Sequence, residues 1–287
     1  MICGTMAACL EGRGPMPSRR RLLLSAGLMP LAIAAGRRAG ADDADDPWPD
    51  IKASLFADRS IQDGTGILAL EAPKRAYDAA LVPITVTAAI AQSDARYIQA
   101  VHLIVDKNPA PVAGVFHFTV DSGTASFATR VRVNEYTNIR AVAEMNDGAL
   151  FMATAFVKAA GGCSAPALKD AEKAMASLGK MKLKAPDSVI LDRPNQAQLL
   201  ISHPNFSGMQ FDQISRNYIP AHFVEDIRVR YADRVIMTVE GNISLSEDPT
   251  VYFSFVPRGP GEIAVDVTDS EGMKFSQAWP ITPVPAS

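Results

Sequence analysis

The sequence is poor in the residues that most often carry chemistry. Its 287 residues include three cysteines and four histidines, and Cys3 and Cys9 fall at the very start. Cys163 therefore has no nearby second cysteine with which to form a disulfide or a two-thiol redox motif. His102, His117, His203 and His222 show no metal-ligand spacing, and no Ser-His-Asp arrangement or phosphate loop is visible. His102 and His117 lie in strand-like patterns, and all four histidines are expected to serve packing, with a position facing the Cys163 thiol as the alternative for His203 and His222. No catalytic residue, metal or cofactor is expected. An excess of positive charge is also missing. The chain has 28 basic and 31 acidic residues, a net charge of −3, which argues against nucleic acid as a partner.

Long apolar runs are scarce too. The one candidate, Leu22 to about Ala35, has about 14 residues, short of the roughly 20 a membrane-spanning helix needs. No membrane span is expected. Arg19, Arg20 and Arg21 precede this run, and Ala39-Gly40-Ala41 follows it as a small-residue cleavage site. Residues 1–41 thus read as an export signal, with cleavage near Ala41 and a periplasmic destination. Ser18 to Leu23 resembles the twin-arginine pattern; a general-secretion signal with an extra arginine is the alternative. Cleavage would leave 22 basic and 30 acidic residues, a net charge of −8, with Cys163 as the only thiol.

Short strand-like segments fill most of the remaining chain. Before Cys163 stand "VPITVTA" (82–88), "YIQAVHLIVD" (97–106), "GVFHFTV" (114–120), "ATRVRVN" (128–134), "IRAVAEM" (139–145) and "LFMATAFVK" (150–158). Asn146-Asp147-Gly148, between two apolar runs, is a hairpin signal. After residue 185 the rhythm returns in "QLLISH", "HFVEDIRVRY", "RVIMTVEG", "VYFSFVP", "EIAVDVTD" and "KFSQAW". This spacing predicts an all-β chain of two immunoglobulin-like β-sandwiches, over 48–160 and 186–283. "WPDIKASLF" predicts one or two helical turns before the first sandwich.

The two halves meet at Gly161-Gly162-Cys163-Ser164-Ala165-Pro166, within a hinge and linker over 161–185. Small residues on both sides of Cys163 offer little core volume, so the thiol is expected to be exposed, with Gly161, Gly162 and Ser164 as flexible flanks. Leu168, Ala171, Met175 and Leu178 fall on one helical face, so residues 165–179 read as a short helix; a flexible linker is the alternative. A helix N-terminus just after Cys163, with Lys158 and Lys169 nearby, would favour the thiolate. A lone exposed thiol also leaves open a disulfide-linked dimer through Cys163.

Several stretches carry a resemblance to known families. "WPDIKASLFADRSIQDGTGILALEAPKRAYDAALVPITV", "IVDKNPAPVAGVFHF" and "GGC" make the first half resemble SoxY, the sulfur-carrying subunit of bacterial sulfur oxidation. "HPNFSGMQ", "IPAHFVEDIRVRYADRVIM", "EDPTVYFSF" and "VTDSEGMKF" make the second half resemble SoxZ. The order of the halves is similar to fused SoxYZ carriers associated with quinoprotein dehydrogenases.

The resemblance implies a non-catalytic periplasmic carrier. It would hold a sulfur-containing group covalently on Cys163 and present it to redox enzymes of sulfur oxidation or of a quinoprotein system. An accessory role for a quinoprotein alcohol dehydrogenase, with Cys163 unused as a carrier, is equally compatible with it. In the SoxY family the cysteine sits in a free Gly-Gly-Cys-Gly-Gly tail. Here Ser164 and Ala165 replace the later glycines and the chain continues, so a fully extended Ala159–Cys163 would move the sulfur by only about 15 Å.

Overall fold

The computed structural model describes residues 46–166, 171–213 and 215–286. The export signal expected over 1–41 lies outside the described residues. As the strand periodicity predicts, the chain is nearly all β, with 48% of residues in strands and 6% helical.

The first half begins with α1 (Trp48–Phe56), followed by β1 (Ile61–Asp63), β2 (Leu68–Glu71), β3 (Val82–Ala88) and β4 (Ile98–Val105). It continues through β5 (Val112–Phe118), β6 (Phe127–Val131), β7 (Thr137–Met145) and β8 (Leu150–Val157). The second half contains the short helix α2 (Ala171–Ala176), then β9 (Met181–Lys184), β10 (Asn195–Ile201), β11 (Phe211–Asp212) and β12 (Asn217–Tyr218). It ends with β13 (Val224–Tyr231), β14 (Arg234–Gly241), β15 (Thr250–Phe255), β16 (Gly261–Asp269) and β17 (Lys274–Ile281).

Strand pattern reports which faces are covered. In β3 and β16 buried and exposed positions alternate, as they must where one face meets the core and the other meets water. Strands β4 and β7 are buried at nearly every position instead. Their second face is covered by α1, where Phe56, Ile104, Val142 and Leu150 form a separate small core beside Trp48 and Ile51. Beneath that helix the buried Arg140 grips both oxygens of Asp106 at 2.9 and 3.0 Å, and its guanidinium lies 4.2 Å from the Trp48 ring centre. The hairpin predicted at Asn146-Asp147-Gly148 joins β7 to β8, with Gly148 at φ +84°, a conformation glycine takes at little cost.

The two sandwich halves do not stand apart. One sheet runs β1-β8-β7-β4-β5-β14-β13-β16-β17 and the facing sheet runs β2-β3-β6-β15-β10-β9, so each takes strands from both halves. The main seam is antiparallel: β5 pairs with β14 from Gly114↔Gly241 to Phe118↔Met237. Gly114 is required there, because a Cβ would approach the Glu240 carbonyl oxygen to 3.0 Å. In the facing sheet the seam is slighter, a single pair at Tyr252↔Ala128. One apolar core fills the space between the sheets along both halves, from Val82 and Phe116 to Phe253 and Val265. Phe116 and Phe127 stack in it with ring centres 3.9 Å apart.

Covalent linkage is therefore not what holds the halves together. Co-expressed as separate chains, residues 42–170 and 171–287 are expected to purify as a one-to-one complex in gel filtration. Elution as two independent folded species would contradict a shared core.

Candidate functional site

The site is assembled around the end of the first half. After β8 the chain turns inward at Ala159, which is buried in the core. The amide of Gly161 then donates to the Asn134 carbonyl at 2.8 Å, and that of Gly162 to the Val133 carbonyl at 2.9 Å. The two glycines serve different needs, backbone conformation at Gly161 and close packing at Gly162. Gly161 turns at φ +80°, and a Cβ on Gly162 would lie 2.0 Å from the Ala79 carbonyl oxygen. The expectation of flexible flanks is corrected for Gly161 and Gly162: both are hydrogen-bonded, and Gly162 is buried. Ser164 is exposed.

Cys163 is 0% exposed, which corrects the expectation of an accessible thiol. Its own neighbours are too small to bury it. The segment around it is packed from both halves, by Ala79, Arg132 and Val133 of the first and by a loop of the second, residues 203–210. Ser207 Oγ donates to the Cys163 carbonyl, and Gln210 Nε2 donates to the Ala165 carbonyl at 3.0 Å. Burial pushes the thiol pKa up to about 11, against an opposing pull from Arg132. The thiol is accordingly protonated at neutral pH and a poor nucleophile while closed.

Arg132 is the charge the sequence reading missed. It follows β6 directly, is 1% exposed, and reaches both halves. Nη1 donates to the Gly162 carbonyl at 3.2 Å and Nη2 to the Asn205 carbonyl at 3.0 Å, while Nε has no acceptor. Burial lowers its pKa; Cys163, Glu247 and Asp78, in that order, oppose the shift. Of the two cations expected to stabilise the thiolate, only Lys158 falls among the described residues. Lys158 is exposed and Arg132 is the charge that acts on the thiol, while Lys169 lies outside the described residues. Residues 164–166 are not helical, so no helix N-terminus directly follows Cys163; the described span of α2 is Ala171–Ala176.

The covering loop is itself anchored. Asn205 sits at φ +44°, a left-handed conformation that Asn tolerates better than most residues, and its side chain accepts from the Val224 amide at 3.1 Å. Beside it, His203, His222 and Asp269 form a buried cluster. His222 Nε2 lies 2.8 Å from Asp269 Oδ2, and His203 Nε2 lies 3.5 Å from the same oxygen. These are metal-ligating residue types, but one contact decides against that use. The Asn205 amide donates to His203 Nδ1 at 3.1 Å, so the neutral ring carries its proton on Nε2, on the Asp269 side. Burial and the neighbouring His222 lower the His203 pKa to about 4, which keeps the ring neutral. The cluster thus ties the start of the loop to the turn after β16. Nothing in the sequence spacing of His203, His222 and Asp269 announces it. His102 and His117 sit apart, against Glu144 and Glu240 respectively.

Comparison with known proteins follows the same two halves. The family model "Sulfur oxidation protein SoxY" matches residues 52–163 and "Sulphur oxidation protein SoxZ" matches residues 183–280. Among solved structures, the sulfur carrier protein SoxY from Chlorobium limicola f thiosulfatophilum is 24% identical, with a TM-score of 0.32. That match covers 39% of this chain and 94% of the other. The superoxide reductase (neelaredoxin) from Ignicoccus hospitalis is 16% identical with a TM-score of 0.28, covering 41% of this chain and 90% of its own. Fibronectin(III)-like modules of Clostridium thermocellum CbhA are 13% identical with a TM-score of 0.24, covering 77% and 95%. None of the curated proteins matches the chain.

The covering bonds make reactivity of Cys163 depend on opening. Removing the Ser207 hydroxyl takes away one hydrogen bond of about 1 kcal/mol, so Ser207→Ala is expected to speed iodoacetamide labelling of the folded protein about fivefold. In both proteins the rate is expected to be still climbing at pH 10, as a thiol pKa raised to about 11 requires. A rate that levels off below pH 9 and ignores the substitution would contradict the closed site.

Proposed function

Because the chain carries a SoxY domain followed by a SoxZ domain, we propose that it is a sulfur-oxidation carrier protein whose working atom is the Cys163 sulfur. The observation that carries this reading is the position of Cys163. It is the last residue of the SoxY match, and its backbone is held by Ser207 of the SoxZ match. The carrier segment and the partner that packs beside it are thus parts of one chain. Fusion fixes their ratio at one to one.

The chemistry is thiol–disulfide exchange. The segment opens, the thiol gives up its proton, and the thiolate attacks the X-bearing sulfur of a donor R–S–S–X. One S–S bond forms to Cys163, the donor S–S bond breaks, and R–S⁻ leaves; no net oxidation occurs. A second exchange hands the group to an acceptor. No metal is needed, and no cofactor beyond the adduct itself. The protein turns over nothing on its own and works by presenting its cargo to redox enzymes. The basic-apolar start of the chain supports export to the periplasm as the setting. In a closed carrier the thiol waits protonated and shielded from stray oxidants.

A second reading is favoured by one feature, the complete burial of Cys163. In it the chain is an accessory protein for a periplasmic quinoprotein dehydrogenase and the cysteine is a packing residue. The two readings part in the host cell. The carrier reading expects Cys163→Ser to abolish the chain's contribution to oxidation of reduced sulfur. It also expects protein purified without reductant to carry extra mass on the peptide containing Cys163. An unmodified thiol, together with a Cys163→Ser strain that oxidises sulfur normally, would leave only the accessory role.

A further inference from the structure

Arg132 is a full positive charge in the interior, yet both of its hydrogen bonds go to neutral carbonyls, those of Gly162 and Asn205. Its Nε–H has no acceptor at all. A buried cation with an unused donor is costly, and the cost falls when an anion arrives. The moving part of the site makes this need larger. When Gly162 and Cys163 swing away, the Nη1 bond to the Gly162 carbonyl breaks, and Nη1 joins Nε as a guanidinium nitrogen without an acceptor.

Resting on the carrier reading above, we propose that Arg132 makes the Cys163 site selective for negatively charged sulfur groups. It is a positioning residue for the cargo: its freed N–H groups take the anionic end of whatever is attached to, or arriving at, the Cys163 sulfur. Planar guanidinium groups suit oxyanions of the sulfonate kind. Three acidic or ionisable groups face Arg132, namely Cys163, Glu247 and Asp78, and an ionised Cys163 acts on it more strongly than either carboxylate. The Nη1 bond to the Gly162 carbonyl sets the guanidinium beside the residue that carries the sulfur. This local preference opposes the general field, since the whole chain has a net charge of −3.

Two thiosulfonate reagents of similar size and opposite charge test it on the full chain. Sulfonatoethyl methanethiosulfonate is anionic and trimethylammonioethyl methanethiosulfonate is cationic. Each leaves methanesulfinate and a new S–S bond on Cys163, so leaving group and opening step cancel in the ratio of their rates. The ratio for folded protein, divided by that for protein unfolded in urea, is expected to favour the anionic reagent about tenfold, the worth of one charge-assisted hydrogen bond. Arg132→Gln is expected to bring it to about one, and Arg132→Lys to restore part of it. A normalised wild-type ratio of one or below overturns the proposal without any variant. So does a folded Arg132→Gln protein that keeps the preference. If Arg132→Gln does not fold, the wild-type ratio and the Arg132→Lys protein decide. Folded protein inert to both reagents would overturn the carrier reading as well.

Discussion

The buried guanidinium of Arg132 ties together two backbone carbonyls that the chain order keeps far apart, Gly162 from the first half and Asn205 from the second. Around this link the rest of the site falls into place. Gly161 and Gly162 lie against residues 133–134, Ser207 and Gln210 hold the backbone on either side of the thiol, and the His203–His222–Asp269 cluster secures the start of the covering loop. Most of these contacts join backbone to a polar side chain rather than filling apolar volume. Such a clamp can open without disturbing the core, because hydrogen bonds lost on opening can be remade to water, whereas a lost apolar contact cannot.

The clamp depends on the two halves keeping a fixed position, and the shared sheets provide that. The β6–β15 pair and the Val131↔Leu245 bridge beside it fix the end of β6, and with it Arg132, against the second half. A carrier built from two separate subunits must form this interface by association. Here it is part of folding, and the entropy of bringing the partners together has been met once by the linker. The same linkage limits reach, since the thiol segment is held at both ends. A segment held at both ends allows a short local opening at the junction and not a long swing.

Much of the scaffold was legible in the residues. The alternation in "VPITVTA" and "EIAVDVTD" found β3 and β16, Asn146-Asp147-Gly148 found a hairpin, and "WPDIKASLF" found α1. Short edge elements such as β1, β9 and β11 were missed, because two to four residues are too few for a period to show. The seam between the halves was missed for a different reason. Pairing of Val115 with Glu240 is a relation between distant segments, and neither segment's pattern depends on which neighbour it has. The burial of Cys163 failed in the same way. Its local sequence is small and polar, as for an exposed turn, and the groups that pack on the segment come from distant positions such as Ala79, Arg132, Ser207 and Gln210. Arg132 was hidden by its context: an arginine in an alternating strand reads as solvent-facing, while here it is held inward by two carbonyls.

The central claim is that the thiol segment rests closed against the second half and must leave it to carry anything. Hydrogen–deuterium exchange on two forms of the protein, with Cys163 free and with Cys163 bearing a disulfide-linked group, measures this directly. The free form is expected to protect the amides of Gly161 and Gly162. In the loaded form these amides and the 203–210 loop should exchange faster, while β4 and β7 stay unchanged. Equal protection in both forms would contradict it, since a cargo would then sit on Cys163 without the segment ever being released.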